Sequence, residues 1–317
     1  MSFSSQVKEE LCHLPVQNQC CVLAELAALM RACGTLEIGH GKHAAVRMDV
    51  ENAAIARYVY GLVKRRYNVH SHMEARHHHR FSRALRYSLR IDAPDAAALL
   101  LSETGILVEE LDSTLMGTEI PQVLLKKDCC RRSFVRGAFL GCGSVNNPEK
   151  GYHAEFVFRS GEWAKALTLI LRGFDLSARE TLRKDHPVVY MKESEHIVDL
   201  LNLMGAHAAL LNMENTRVLK DIRNQVNRTV NCESANLDKT LFAAEQQLHS
   251  IEVIEAHGGL GQLPSELQEL AATRRDNPDA TLLELAEILG NVGKSGVNHR
   301  MRKIISIAKE LEGGGET

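Results

Sequence analysis

The spacing of hydrophobic and polar positions changes in a repeated order along the first two thirds of the chain. After a short helix predicted over 5–11, helical and strand-like spacing alternate. The first set of predicted elements is a helix that ends at 34, strands over 35–39 and 45–50, a helix over 51–66, and strands over 69–74 and 81–91. The second set is a helix that ends at 143, strands over 152–159, a helix over 162–171, strands over 176–183 and 188–192, and a helix over 194–204. This order predicts an α+β fold built from two αββαββ repeats, with 99–120 as the connection between them.

The helix that opens each repeat carries the clearest evidence of duplication. CCVLAELAALMRACGTL begins at Cys20 and CCRRSFVRGAFLGCGSV begins at Cys129, and their cysteines and final glycines coincide at a constant offset of 129 minus 20, or 109 residues. Small residues along both copies predict that the two helices pack closely, although two unrelated alanine-rich helices are the alternative. We expect Gly34 and Gly143 to close the helices with a positive φ.

The last third of the chain is predicted to be entirely helical. Residues 208–255 are rich in amide side chains, and Ser234 or Asn236 is expected to cap a second helix there. A glycine-containing break over 258–261 precedes three short helices. Thr281 with Glu284 predicts a capping box for the middle helix, which is expected to end at Gly290.

The final helix is predicted to follow the turn GNVGK, with Ser295 as its N-cap. Its apolar stripe is Val297, Met301, Ile304, Ala308 and Leu311. The arrangement of two helices around a short turn is typical of a helix-turn-helix, and the side chains opposite the stripe are of the types that contact base edges and phosphates. We therefore predict DNA contacts from Lys294, Ser295, Asn298, His299, Arg300, Arg302 and Lys303. The alternative is a helical hairpin with a solvated basic face.

Composition narrows the function classes only in part. A net charge of -2 over 317 residues gives no global sign of nucleic-acid binding, so such a function must depend on local basic patches. One patch is the polar face of the run RFSRALRYSLRI over 80–91, where Arg80, Arg86 and Arg90 either follow a phosphate backbone or form a solvated face. No apolar run approaches a membrane span and the N-terminus lacks a signal-peptide pattern, which predicts a cytoplasmic protein with no membrane partner. The DNA contacts predicted for the final helix would make it nucleoid-associated.

Histidines and cysteines raise two further hypotheses. His70, His72, His77, His78 and His79 are of a type that binds zinc or nickel, but a polar hairpin tip is the favoured interpretation. The eight cysteines include two adjacent pairs and no CxxC, which is typical of reduced, buried and inert thiols rather than of disulfides or redox sensing. The sequence thus predicts no metal site and no cofactor.

The repeated helix followed by four strands and a second helix resembles the LAGLIDADG homing endonuclease fold. In that family the last acidic residue of each motif binds the metal, just before the glycine. The corresponding segments here are LAALMRACG and VRGAFLGCG, so Cys33 and Cys142 replace the metal-binding acids. A neutral thiol is a poor ligand for Mg²⁺, and we expect no catalytic residues, no enzyme activity and no nuclease activity.

The whole chain resembles the WhiA family of bacterial DNA-binding regulators. The most specific segments are RGAFLGCGSVNNPEKGYHAEF over 136–156, NRTVNCESANLDKT over 227–240 and KSGVNHRMRKI over 294–304. The resemblance implies a regulator of transcription that acts in sporulation in actinobacteria and is linked to cell division and chromosome segregation in firmicutes. The implied partners are double-stranded promoter DNA and a protein partner regulator.

These expectations divide the chain into three parts. A duplicated LAGLIDADG-like domain is predicted over 1–205, with repeats at about 15–100 and 124–205, a helical connector over 206–257, and a helix-turn-helix domain over 258–317. The alternative function is a protein-interaction scaffold whose LAGLIDADG-like half no longer binds DNA.

Overall fold

The structure is a computed structural model that describes residues 1–16, 18–38, 44–77, 85–110, 113–117 and 119–313. The side chains of 76, 77, 109, 110, 113–116 and 313 lie outside that description. The chain divides into two compact units, 1–219 and 220–317. Each unit is described by itself.

The first unit begins with a short helix and the first repeat. Their elements are α1 (Phe3–Cys12), α2 (Gln19–Cys33), β1 (Gly34–Ile38), β2 (Ala44–Val50), α3 (Ala53–Tyr67), β3 (His72–His77), β4 (Leu85–Ile91) and α4 (Pro94–Glu103). The antiparallel sheet has the order β1-β2-β4-β3. The predicted αββαββ order is confirmed, but α4 was not predicted, and it includes the start of the connection expected over 99–120. Residues 81–84 of the predicted strand lie outside the described residues.

The connection and the second repeat complete this unit. The connection contains a small hairpin, β5 (Leu107–Glu110) and β6 (Ser113–Met116). The second repeat contains α5 (Asp128–Cys142), β7 (Gly143–Val145), β8 (Ala154–Val157), α6 (Gly161–Arg172), β9 (Arg179–Arg183), β10 (His186–Met191) and α7 (Ser194–Met204). Its sheet order, β7-β8-β10-β9, repeats the order of the first sheet, which confirms the duplication.

The two interface helices, α2 and α5, pack closely through small residues, as predicted. A Cβ atom added at Gly141 would lie 2.6 Å from Ala32 Cβ, and one added at Gly137 would lie 2.5 Å from the Glu25 carbonyl oxygen and 3.1 Å from Ala28 Cβ. Subtracting the offset of 109 from 141 and 137 gives 32 and 28. Each glycine therefore faces its own counterpart in the other repeat, as in a helix pair related by an approximate two-fold axis.

The glycines that end these helices have a different role from the predicted one. Gly34 has φ -78° and Gly143 has φ -83°, so the chain passes directly into an extended strand and the predicted positive φ is wrong. A Cβ at Gly34 would lie 2.4 Å from the Met30 carbonyl oxygen, and one at Gly143 would lie 2.6 Å from Phe139 Cα. Glycine is needed for space, because the strand begins against the last turn of the helix.

The segment after α7 is one long helix, α8 (His207–Ala256). The second helix expected from a cap at Ser234 or Asn236 is absent, because both residues lie inside α8. The sequence from 207 to 256 contains neither glycine nor proline, so nothing in it interrupts the backbone hydrogen bonds. The boundary between the two compact units falls within this helix.

The second unit ends with three further helices. They are α9 (Ser265–Asp276), α10 (Leu282–Leu289) and α11 (Lys294–Gly313). Their apolar core also includes Ile251 and Ile254 from the end of α8. A fragment meant to keep this core must therefore begin before Ile251.

Candidate nucleic-acid interface

The helix-turn-helix geometry is built by two helix-terminus signals. Thr281 accepts a hydrogen bond from the Glu284 backbone N–H at 3.3 Å, and the Glu284 carboxylate accepts one from the Thr281 backbone N–H at 2.6 Å, which confirms the predicted capping box of α10. Gly290 ends α10 with φ 68°, a left-handed conformation that favours glycine. The chain then turns over three residues into α11.

The apolar stripe of α11 packs into the terminal core. Val297, Met301, Ile304 and Ala308 are buried, while Leu311 packs against the core from its edge. This burial fixes which side of the helix meets solvent. The exposed members of the predicted DNA-contacting set are Lys294, Ser295, His299, Arg302 and Lys303. Because α11 begins at Lys294, Ser295 lies in its first turn, and its predicted role as N-cap is wrong.

Two members of the predicted set are less exposed. Asn298 is half-buried beside the stripe. Arg300 has a side chain that is only 19% exposed, and its Nη2 lies 2.9 Å from Glu266 Oε2 in α9. The geometry of Arg300 thus links α11 to α9, whereas Arg302 and Lys303 extend into solvent.

A buried arginine that sequence reasoning missed positions this unit. Arg274, 2% exposed, donates to the carbonyl oxygens of Asn277, Pro278 and Ala280 in the connection between α9 and α10. Burial lowers the pKa of its guanidinium. Arg274 lies in the predicted first helix of the unit, but an arginine in a polar helix gives no sequence signal of burial.

The outer face of the first sheet carries arginines that are paired with carboxylates. Arg90, one of the predicted contacts, has Nε 3.3 Å from Glu37 Oε2. Arg47, its neighbour on β2, bonds to Glu37 and lies 3.3 Å from Asp49 Oδ2. Arg86 is exposed, and Arg80 lies outside the described residues. Such pairing offsets the positive charge that a phosphate backbone would require.

The second sheet repeats this charge balance. Glu155 Oε1 lies 2.9 Å from Arg183 Nη2, and its Oε2 lies 3.1 Å from His153 Nε2. Burial opposes the charge of Glu155, but hydrogen bonds from Arg183 and His153 outweigh burial and lower its pKa. Arg179 Nη2 lies 3.7 Å from Glu193 Oε1. Both outer faces therefore carry charges of the two signs.

A cavity of about 800 Å³ lies where the interface helices end. Cys33 and Cys142 line it, together with Asp49 and Glu51. Lys8 of α1, which also lines the cavity, is buried and its Nζ lies 2.9 Å from Glu51 Oε1. The Glu51 carboxylate is thus ion-paired with Lys8, and the Asp49 carboxylate is ion-paired with Arg47.

The residues of this cavity do not fit a Mg²⁺ site. The Cys33 thiol donates to the Leu29 carbonyl oxygen at 3.3 Å, and burial raises its pKa to about 12. Burial also raises the pKa of Cys142. Mg²⁺ requires hard oxygen ligands, but the two carboxylates of the cavity, Asp49 and Glu51, are already paired with Arg47 and Lys8, and the two thiols beside them are neutral.

The predicted histidine cluster is only partly within the described residues. His70 Nδ1 is hydrogen-bonded to the Tyr60 hydroxyl at 2.7 Å, and exposed His72 has Nε2 3.7 Å from Asp92 Oδ2. The His77 side chain and all of His78 and His79 lie outside that description. The two adjacent cysteine pairs lie within the described residues. They come together at the N-terminal ends of the interface helices, opposite the ends that carry Cys33 and Cys142, and comprise Cys20, Cys21, Cys129 and Cys130.

The fold defines a class of protein in which a duplicated LAGLIDADG-like unit precedes a helix-turn-helix. Comparison with known families agrees: the WhiA N-terminal LAGLIDADG-like domain matches residues 19–107, the WhiA LAGLIDADG-like domain matches 131–223, and the WhiA C-terminal HTH domain matches 226–308. The chain belongs to the WhiA family. None of its helices is long and apolar enough to cross a bilayer, over the ranges that the structure describes.

Relatives match along nearly the whole chain. A probable cell division protein WhiA of Alkaliphilus metalliredigens is 44% identical over 314 residues, and one of Alkaliphilus oremlandii is 46% identical over 316 residues. Each alignment covers 99% of both chains. The crystal structure of full-length DUF199/WhiA from Thermatoga maritima has a TM-score of 0.58 at 23% identity, covering 98% of this chain and 99% of that chain. This likeness supports the same overall fold.

Proposed function

We propose that this chain is a sequence-specific DNA-binding regulator of transcription whose recognition helix is α11. The observation that carries the proposal is the capped α10, the Gly290 turn and an α11 that buries one stripe while its first turns expose basic side chains. In such units the second helix enters the major groove and presents its N-terminal residues to base edges.

The side chains of α11 divide by chemistry. Arg302 can bond a guanine edge through two N–H groups, and half-buried Asn298 can bond an adenine edge through its amide. Lys294, Ser295, His299 and Lys303 suit phosphate oxygens or further base contacts. Arg300 is paired with Glu266 of α9, so a DNA contact by Arg300 would require this pair to open.

The biological setting of the proposal follows from the family. The relatives named above are described as probable cell division proteins. We infer that the DNA partner is promoter DNA of genes that act in cell division and chromosome segregation, and that the chain associates with the nucleoid. A protein partner regulator would act together with it at those promoters.

Genome-wide crosslinking of the full-length chain tests this proposal. Fragments enriched by crosslinking should share a sequence element, and purified chain should bind that element at least about 1000-fold more tightly than scrambled duplex of equal length at the same salt concentration. Equal affinity for both duplexes would contradict sequence-specific regulation.

The first unit supports a second proposal, that it is a protein-interaction platform which no longer binds DNA. The observation in its favour is the carboxylate pairing of Arg47, Arg90 and Arg183 on the outer sheet faces. DNA binding there would require these pairs to break, at a cost that offsets part of each phosphate contact.

The salt dependence of binding separates the two roles. Each phosphate contact adds about 0.9 to the slope of log K against log salt. If the first unit does not bind DNA, the slope for the full-length chain should differ from that for a fragment over 220–317 by less than about 0.9, the value of one phosphate contact. This fragment retains the complete terminal core. A steeper slope for the full-length chain, lowered by Arg86→Ala, would show that the sheet faces contact DNA.

We also propose that the chain has no nuclease activity. Bound duplex incubated with Mg²⁺ should remain intact, because the carboxylates of the cavity between the helix ends are paired with Lys8 and Arg47, and thiols stand at the helix ends. Cleavage that Cys142→Ala abolishes would contradict this statement.

A further inference from the structure

Four cysteine thiols meet at the N-terminal ends of the two interface helices. Cys20 and Cys21 lie in the first turn of α2, and Cys129 and Cys130 lie in the first turn of α5. Their four Sγ atoms all lie within 4.8 Å of one another. Each repeat supplies two of them from equivalent positions, since 129 minus 20 and 130 minus 21 both equal 109.

These distances approach those of a tetrahedral metal site. Zinc–sulfur bonds of about 2.3 Å place neighbouring sulfurs of a four-thiolate site about 3.8 Å apart. Cys129 Sγ and Cys130 Sγ are already 4.0 Å apart. A contraction of at most about 1 Å, within the reach of small side-chain rotations, brings all four sulfurs around one ion.

The N-terminal ends of the two interface helices favour negative charge at the cluster. Neither Asn18 nor Lys127, the residues that precede α2 and α5, caps its helix with a side-chain hydrogen bond, so the positive ends of both helices face the cluster.

The cluster is also reachable from solvent. Cys21 and Cys129 line a cavity of about 440 Å³ in the first unit, and Cys129 is exposed. An ion can therefore enter beside Cys129 while Cys21 and Cys130 remain buried. Four thiolates and one divalent ion carry a net charge of -2, which the Arg132 side chain on the same cavity wall partly balances.

We propose that Cys20, Cys21, Cys129 and Cys130 bind one Zn²⁺ ion in a four-thiolate site that fastens the two repeats together at the N-terminal ends of α2 and α5. Four protein ligands fill the coordination of zinc, so the site is structural rather than catalytic. On binding, each S–H bond breaks, an S–Zn bond forms, and the proton passes to solvent. No electron is transferred.

Proton release gives the site a pH dependence. Zinc binds cysteine as the thiolate, so each of the four thiols that carries a proton must release it on binding. Zinc affinity should accordingly increase as the pH is raised.

Cobalt binding to the full-length, untagged chain tests the site. Metal-free chain, kept reduced with a phosphine, is titrated with Co²⁺ alone. We expect one ion per chain, with an intense thiolate-to-cobalt charge-transfer band and the visible bands of a tetrahedral site, and displacement of both by Zn²⁺. A histidine site lacks the charge-transfer band, which separates this cluster from the histidines near His70.

Variants assign the signal to residues. Cys20→Ser combined with Cys129→Ser should lose the charge-transfer band and one-to-one binding, whereas Cys232→Ser, at an exposed cysteine of α8, should keep both. Persistence of the band in the double variant, or no stoichiometric binding by the original chain, would overturn the proposal.

A measurement on the unaltered chain covers the case in which the double variant does not fold. With saturating Zn²⁺, alkylation of Cys129 followed by mass spectrometry should be strongly slowed, while exposed Cys232 reacts at an unchanged rate. Equal alkylation of Cys129 with and without zinc, or disulfides among the four cysteines in zinc-treated chain, would also overturn it.

Discussion

Removal of Glu25 should destabilise the first unit strongly, because its buried carboxylate joins the two repeats. Arg136 donates to it through two bonds, from Nε to Oε1 at 3.0 Å and from Nη2 to Oε2 at 2.8 Å, and the Tyr58 hydroxyl donates at 2.7 Å. The Glu25 side chain is 0% exposed and that of Arg136 is 12% exposed. Burial opposes the charge of Arg136, but Glu25 outweighs burial and raises its pKa.

The size of the loss in the free energy of unfolding follows from the buried groups that Glu25→Ala leaves without a partner. The Arg136 guanidinium would keep its burial without a counter-charge, and the Tyr58 hydroxyl would lose its acceptor. Breaking a buried pair in this way costs about 3–5 kcal/mol of the free energy of unfolding. Arg179→Ala is a matched control, since it breaks an exposed pair with Glu193 whose loss should cost less than about 1 kcal/mol.

Urea unfolding followed by tryptophan fluorescence measures this loss selectively. Trp163, the single tryptophan of the chain, lies in α6, so its signal follows the first unit rather than the helix-turn-helix unit. The pair of substitutions Glu25→Leu and Arg136→Leu together should recover most of the loss, because no unpaired charge remains. A loss below about 1 kcal/mol for Glu25→Ala alone would refute the reasoning.

Two further predictions concern packing and the buried arginine of the second unit. Gly141→Ala should lower the free energy of unfolding by about 1–3 kcal/mol in the same fluorescence assay, because its Cβ would overlap Ala32, whereas Gly161→Ala, with open space around it, should be nearly neutral. Arg274→Ala should lower the melting temperature of a fragment over 220–317, measured by circular dichroism, because three carbonyl oxygens lose their donor. Arg275→Ala, which breaks an exposed pair worth less than about 1 kcal/mol, should lower that melting temperature much less than Arg274→Ala does.

The fold was predictable where local signals agreed with one another. The constant offset between the two cysteine-bearing helices predicted the duplication, and the Thr281 capping box with Gly290 predicted the helix-turn-helix. The amide-rich segment was misjudged, because asparagine and serine lower helix propensity only slightly and a helix without glycine or proline continues through them.

What escaped the sequence depends on contacts between distant residues. The pairing of Arg90 and Arg47 with Glu37 requires the register of three strands, which alternation alone does not give. The space requirement at Gly34 arises from Met30 in the preceding turn and not from its φ angle.

The cysteine cluster also depends on packing at long range. Each adjacent pair alone is typical of inert, buried thiols. Once α2 and α5 are known to pack against each other, equivalent pairs at their first turns must come together. The aligned copies therefore contained both cysteine pairs, but only the packing of α2 against α5 shows that the pairs form one cluster.

The affinity of full-length variants for the duplex found by crosslinking shows whether α11 recognises DNA. Arg302→Ala and Asn298→Ala should each weaken binding by about 1–3 kcal/mol, or about 5- to 150-fold in Kd. Lys309→Ala is the control, because this exposed lysine lies on the same side of α11 about 10 Å further along, and its loss should change Kd by less than about twofold. Unchanged Kd for both Arg302→Ala and Asn298→Ala, with folded protein by circular dichroism, would contradict the assignment of α11 as the recognition helix.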